Sequence, residues 1–68
     1  MQIVEIQIED IPEAGVVEVY LMGEHHVCSD QEPFHYHDRA SRSEARRKAK
    51  DRGYGLSLEH NCRVSWNF

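Results

Sequence analysis

Lysine and arginine are absent from the first 38 residues of this 68-residue chain. Residues 39–52 reverse the sign with seven bases and two acids, and the formal net charge of the whole chain is −4. Two segments of opposite charge predict two electrostatic fields, each able to attract a partner of complementary charge. The acidic segment carries a net −9 from nine carboxylates: Glu5, Glu9, Asp10, Glu13, Glu18, Glu24, Asp30, Glu32 and Asp38.

Long apolar runs, glycine and cysteine are also scarce. No run approaches the roughly 18 residues of a membrane helix, and no basic stretch precedes an apolar one at the N-terminus, so we expect a soluble cytoplasmic protein without membrane contact. Four glycines form no phosphate-binding loop. Cys28 and Cys62 are expected to stay reduced rather than pair. A chain this short predicts one domain over residues 1–68, with a core of marginal stability.

The N-terminal half shows the period of β-strands. Val4, Ile6 and Ile8 alternate with polar residues, which predicts a strand over about residues 2–9. A turn over residues 12–15 follows, and a second strand is predicted to point Val17, Val19 and Leu21 to one face. The interval 23–38 has no sustained period, but part of it, Pro33 to His37, is compatible with a short third strand.

The basic segment has the start and stop signals of a helix. Ser41 and Glu44 match a capping box, so the helix is predicted to begin at Arg42, and Gly53 suits its left-handed end. Its apolar side chains are Ala45 and Ala49, one turn apart, and we expect their methyl groups to face the sheet.

The last segment predicts a second hairpin. Leu56 and Leu58 precede a polar break, and Val64, Trp66 and Phe68 follow at period two. The expected architecture is an α+β fold with a small antiparallel sheet of two hairpins and one α-helix packed on one face. The pattern is compatible with a fifth short strand, which gives the order ββ(β)αββ.

Histidines and cysteines fall into three pairs at spacing two: His26 with Cys28, His35 with His37, and His60 with Cys62. Residues two apart on a strand share a face, so each pair has two ligands to offer to a zinc ion. No standard zinc-ligand spacing is matched, and solvated surface histidines are the simpler interpretation. We therefore expect no bound metal or cofactor, and a small zinc-dependent module is the third functional hypothesis.

Catalytic motifs are missing. A nucleophile needs a base and an orienting group in a formed cleft, and a cysteine beside a histidine supplies only the first two. The serines lack a nucleophile-elbow context. The sequence therefore predicts a protein that is not an enzyme.

The basic helix carries the clearest binding signal. Arg42, Arg46 and Lys50 recur at spacing four, which predicts a line of cations along one face. Such a line suits phosphates or the acidic surface of a protein, and a solvated face is the structural alternative. The acidic strands have a mirror interpretation, in which they enter a cationic groove of another protein. The predicted partner-binding residues are Arg39, Arg42, Arg46, Arg47, Lys50, Glu5, Glu9 and Glu18.

The layout resembles small phage and mobile-element proteins, including some anti-CRISPR inhibitors. The likeness rests on an acidic hairpin, a helix with Ser41, Glu44, Ala45 and Ala49, and a terminal hairpin ending in Trp66 and Phe68. Such families bind host nucleoprotein machinery stoichiometrically, generally without a cofactor. The resemblance implies a non-enzymatic inhibitor, monomeric or dimeric, that binds a larger nucleic-acid-handling complex. Direct nucleic-acid binding through the helix segment 42–52 is the alternative.

Overall fold

The computed structural model describes residues 2–25 and 27–68, and it describes side chains outside 27–32. Four strands and one helix follow in the order β1 (Ile3–Ile11), β2 (Val16–Gly23), β3 (Val27–His35), α1 (Arg39–His60) and β4 (Arg63–Ser65). The sheet order is β3-β2-β1-β4. Both β1–β2 and β2–β3 are antiparallel, whereas β4 lies parallel to β1. The α+β class, with one helix packed on one sheet face, is confirmed.

The first hairpin forms as the alternating pattern predicts. Ile6 lies opposite Leu21, and Ile8 lies opposite Val19, in an antiparallel register. Side chains of this face turn toward the helix, and Ile6 and Val19 have no exposed surface. The turn between the strands ends at Gly15, whose φ of +63° suits glycine. The Gly15 carbonyl then accepts a hydrogen bond from the Tyr36 N–H at 2.9 Å, which joins the turn to the end of β3.

The helix begins three residues earlier than predicted, because a different capping box forms. Asp38 is the N-cap, and its carboxylate accepts from the Ser41 N–H at 2.8 Å. In return, the Ser41 hydroxyl accepts from the Asp38 N–H at 3.0 Å. Ser41 is therefore the third residue of the helix rather than its cap, and the predicted box of Ser41 with Glu44 is wrong.

The prediction that the helix ends at Gly53 is also wrong. The helix runs on for two further turns to His60 and ends at Asn61, which adopts the left-handed conformation with φ 54° and ψ 54°. Gly53 is buried inside it, and a Cβ at this position would lie 2.7 Å from Cδ1 of Ile8. The glycine thus allows close helix-to-sheet packing instead of ending the helix.

The helix packs against the sheet through a stripe of small side chains and one leucine. Ala45 and Ala49 face the sheet as predicted, with 3% and 0% of their surface exposed, and Leu56 extends the same stripe. The core is the layer between helix and sheet, and it consists of Ile6, Ile8, Val17, Val19, Ala45, Ala49 and Leu56.

The second predicted hairpin does not form. Leu56 and Leu58 belong to the helix, so only the three-residue β4 is available, and it pairs alongside Glu5, Ile6 and Gln7 of β1. The order is therefore βββαβ, and the sheet is mixed rather than wholly antiparallel. The uncertain third strand is real, but it covers Val27–His35 rather than Pro33 to His37. The period-two pattern of the last segment does predict packing, since Val64, Trp66 and Phe68 all pack partly against the core.

Candidate binding surfaces

A buried carboxylate organises the basic side of the helix. Asp10 follows Ile6 and Ile8 on the helix-facing side of β1, and its side chain is only 5% exposed. It accepts from the Tyr36 hydroxyl at 2.6 Å and from Nε of Arg42 at 2.9 Å. Arg46 adds two contacts at 2.7 Å, one from Nε and one from a terminal nitrogen. One carboxylate therefore holds two arginines of the predicted cationic line.

Ionisation follows from this geometry. Burial by itself raises the pKa of Asp10, but the donors on Tyr36, Arg42 and Arg46 outweigh it and leave the pKa below its usual value. The same hydrogen bond raises the pKa of Tyr36, since the carboxylate disfavours a phenolate beside it. Asp10 is consequently a carboxylate at neutral pH, and it neutralises part of the helix charge.

Aromatic rings cover the same three cations. The Arg42 guanidinium lies 5.4 Å from the Tyr36 ring centroid, and the Arg46 guanidinium lies 4.9 Å from that of Phe68. Nζ of Lys50 lies 4.8 Å from the Trp66 ring and 5.1 Å from the Phe68 ring. These distances are those of cation–π contacts. Arg42, Arg46 and Lys50 share one helix face, as predicted. Arg46 does not point freely into solvent, because Asp10 and Phe68 hold its guanidinium against the sheet.

The outer helix face is partly self-neutralised. Arg47 pairs with Glu44 and also donates to Asp51 at 3.3 Å, so its charge has two carboxylate neighbours. Arg39 is exposed at the first helical position.

The predicted acidic residues lie on the sheet face opposite the helix. Glu9 is directly opposite Glu18 in the β1–β2 register, and Glu5 is opposite Arg63 of β4. The Glu5 carboxylate lies 3.6 Å from Arg63. Two like charges side by side on neighbouring strands oppose folding. The three predicted acidic residues thus lie on the face opposite the basic helix, whereas Asp10 of the same acidic segment faces the helix.

Two of the three histidine and cysteine pairs do not lie on one strand face, which is the arrangement that the zinc hypothesis requires. His35 ends β3, and His37 lies beyond it; His60 ends the helix, and Cys62 follows the left-handed Asn61. His26 and the Cys28 side chain, and with them the question of a Cys28–Cys62 disulfide, lie outside the described residues. In the part of the chain whose side chains are described, no three His, Cys, Asp or Glu residues come together as metal ligands.

An apolar surface near the end of the helix was missed by the sequence reasoning. Leu58 is 86% exposed and Tyr54 is 50% exposed, one helical turn apart. The Tyr54 and Trp66 rings meet edge to face, with centroids 5.6 Å apart and planes at 83°. Helical periodicity continued past Gly53 would have placed Leu56 inward and Leu58 outward. The error in the helix end therefore hid this surface.

Comparison with known proteins found no match. The chain matches no family model, and no curated protein or solved structure proved similar to it. Within the described residues, no helix is both long enough and apolar enough to span a bilayer.

Proposed function

We propose that the chain is a small non-enzymatic binding protein, of the phage inhibitor type, that occupies a surface on a larger nucleic-acid-handling protein complex in the host cytoplasm. It works without a cofactor and docks through faces of opposite charge. The observation that carries the proposal is the separation of charge between the layers, with Glu9 and Glu18 on the sheet face opposite the basic helix.

The acidic face supports a cationic site on the partner. Glu9 and Glu18 lie directly opposite each other across two strands, an arrangement in which like charges disfavour pairing. Glu9 is exposed and Glu18 is half-buried. The same two charges strengthen attraction to a cationic surface and speed encounter with it. A nucleic-acid-handling protein offers such a surface, because its own groove must attract phosphates.

Polar groups near the open clefts already have structural roles. A cleft of about 440 Å³ is lined partly by Tyr36, His37, Asp38 and Arg42. Asp38 caps the helix, and Tyr36 and Arg42 bind Asp10. Burial raises the pKa of the Cys62 thiol, with a further contribution from Glu5, which disfavours the reactive thiolate. These features favour a binding role over catalysis.

The Asp10 cluster favours a protein partner over direct nucleic-acid binding. Phosphates would have to compete with Asp10 for Arg42 and Arg46, and the rings beside Arg46 and Lys50 are already covered by cations. Bases stack on open aromatic faces. Direct binding through the helix segment 42–52 is the alternative that the experiment must separate.

The test is capture of host proteins by the purified chain, with and without nuclease. We expect capture that survives nuclease and is lost with Glu9→Lys. Glu13→Lys is the matched control, because it makes the same charge change in the exposed turn, away from the sheet face. Capture that disappears with nuclease would support direct nucleic-acid binding instead. Equal capture by Glu9→Lys and the parent would refute docking through the acidic face.

A further inference from the structure

Four residues form a surface that we name the helix-end patch: Tyr54, Gly55 and Leu58 of α1 and Trp66 after β4. Leu58 is 86% exposed, although leucine contributes most to stability when it is buried. Tyr54 stands beside it and contacts the Trp66 ring. Tryptophan and tyrosine are the residues most often found at the energetic centres of protein interfaces.

Gly55 is the second observation at this patch. The chain has two helical glycines, and only one of them is explained by packing within the described residues. A Cβ at Gly53 would lie 2.7 Å from Ile8, whereas a Cβ at Gly55 would meet nothing within 4 Å. Glycine within a helix is destabilising relative to alanine. Because a glycine on an open helix surface has no side chain, the backbone of another molecule can approach the helix closely there.

Two lysines flank the patch and define the chemistry of its partner. Lys50 precedes Tyr54 by four residues, and Lys48 precedes Gly55 by seven, so they lie on opposite sides of the apolar row. Among the side chains that the structure describes, neither lysine has a carboxylate within ion-pair distance. Arg47, with a smaller contribution from Lys48, lowers the pKa of Glu44, and Nζ of Lys50 lies over the Trp66 ring. The exposed carboxylate in this row, Asp51, is paired with Arg47. An apolar row with a cation on each side is complementary to an apolar segment that carries acids.

We propose that the helix-end patch receives an acidic amphipathic segment of the protein partner. Apolar side chains of that segment pack over Gly55 between Tyr54 and Leu58, while its carboxylates reach Lys48 and Lys50. A second copy of this chain is a poor occupant, because a twofold interface presents the same patch from both sides and brings the lysines together. This inference rests on the proposed function and assigns to it a second contact, separate from the acidic sheet face.

The experiment selects peptides from a random displayed library against the full chain. We expect the selected peptides to combine Leu, Ile or Phe with Asp and Glu. Fluorescence anisotropy of a labelled selected peptide should show binding about tenfold weaker or more with Leu58→Asp. Ala40→Asp, at an exposed position near the other end of the helix, should leave the affinity unchanged.

Gly55→Ala keeps the test independent of folding. Alanine should stabilise the helix, so an affinity that falls about fivefold or more while the melting temperature holds or rises supports close approach at Gly55. Basic peptides, or peptides that bind Leu58→Asp as well as the parent, would overturn the inference. Self-association of the chain that Leu58→Asp abolishes, measured by light scattering, would also overturn it.

Failure of this inference is distinguishable from failure of the proposed function. Capture from lysate that depends on Glu9, combined with peptides that ignore Leu58, would leave the proposed function standing and remove the patch as a docking site. Nuclease-sensitive capture would remove both the protein partner and this contact.

Discussion

Asp10 changes what the basic residues of the helix can do. Without it, Arg42 and Arg46 would be two free cations on a helix face. With it, they become parts of a hydrogen-bonded cluster that joins β1, the end of β3 and the helix. The Asp10 side chain is 5% exposed, whereas the arginines keep 37% and 36% of theirs. The carboxylate is therefore the member that needs its partners most, because a buried charge without donors is costly.

Asp10→Asn should lower the free energy of unfolding by about 1–3 kcal/mol at pH 7, as expected for charge-assisted hydrogen bonds to arginines that water partly reaches. The folded pKa of Asp10 is lowered, so its contribution is present above its unfolded pKa of about 3.9 and is lost as the pH falls through the folded value. Urea unfolding at pH 7 and near pH 3 should show the gap between parent and variant narrowing in acid. Asp51→Asn, on the exposed helix face, is the control and should change little.

The two helical glycines should respond to alanine in opposite directions. Gly55→Ala should raise the free energy of unfolding by about 0.5–1 kcal/mol, because the new methyl group meets open space. Gly53→Ala should lower it by about 1 kcal/mol, since its Cβ would press on the buried Ile8 and outweigh the gain in helix propensity. Thermal unfolding of both variants checks this. A stabilised Gly53→Ala would mean that Ile8 can move aside at little cost.

At the scale of elements, the helix owes its position to its small residues. Ala45, Ala49 and Gly53 recur four apart and let the helix backbone lie close to β1 and β2, while Leu56 fills the space near the far end. The cluster at Asp10 holds one side of the same helix. Arg46 and Lys50 of the helix contact the rings of the Trp66–Phe68 segment. Close packing and edge contacts thus replace the broad apolar stripe that a helix of this length usually buries.

The N-terminal cap can be tested by two substitutions. Asp38→Ala should lower the free energy of unfolding by about 1 kcal/mol, because the carboxylate accepts from a backbone N–H at the start of the helix. Glu44→Ala should cost less than about 0.5 kcal/mol, since its partner Arg47 is exposed. Chemical denaturation of both proteins decides between the two cap assignments. A larger loss with Glu44→Ala would favour the box that begins at Ser41.

The alanine contact predicts a second set of effects. Ala45→Leu and Ala49→Leu should each overpack the helix–sheet layer and cost about 1–3 kcal/mol. Arg47→Ala, on the outer face, should leave the melting temperature nearly unchanged. Arg46→Ala should lower it, because Asp10 loses two contacts. Leucine variants as stable as the parent would show that Ala45 and Ala49 do not face the core.

Local patterns predicted the first hairpin and the buried face of the helix, but neither end of the helix. Alternation at Ile6 and Ile8 was sufficient for the hairpin, and the spacing of Ala45 and Ala49 for the buried helix face. The end of the helix was predicted wrongly because a glycine can either end a helix or allow close packing inside it. Only the contact with Ile8, far away in sequence, decides between these two roles. The Asp10 cluster was not predicted either, because its members are far apart in sequence, at positions 10, 36, 42 and 46. The parallel β4 has only three residues, too few to show a period.

At the scale of the whole molecule, the division of charge along the sequence becomes a division between layers. Strand pairing places Glu9 and Glu18 together on the face opposite the helix, and the helix brings most of the cations to the other side. Asp10 belongs to the same acidic segment but lies on the basic side, because it points toward the helix. The like-charged pair Glu9 and Glu18 therefore lies on one face, whereas on the other face Asp10 binds two arginines.

That repulsion predicts a gain in stability when the acidic face is altered. Glu9→Lys places opposite charges across the β1–β2 pair and should raise the free energy of unfolding by about 0.2–1 kcal/mol, whereas Glu13→Lys in the turn should do much less. Added salt should narrow the difference in stability between Glu9→Lys and the parent, since salt screens the charge of the exposed residue at position 9. Urea unfolding at low and high ionic strength measures both effects. A Glu9→Lys protein that is more stable yet no longer captures the partner would show that the repulsion is retained for binding. A less stable Glu9→Lys protein would mean that Glu9 makes favourable contacts in the folded state, and that its charge stabilises the fold rather than lowering stability in favour of binding.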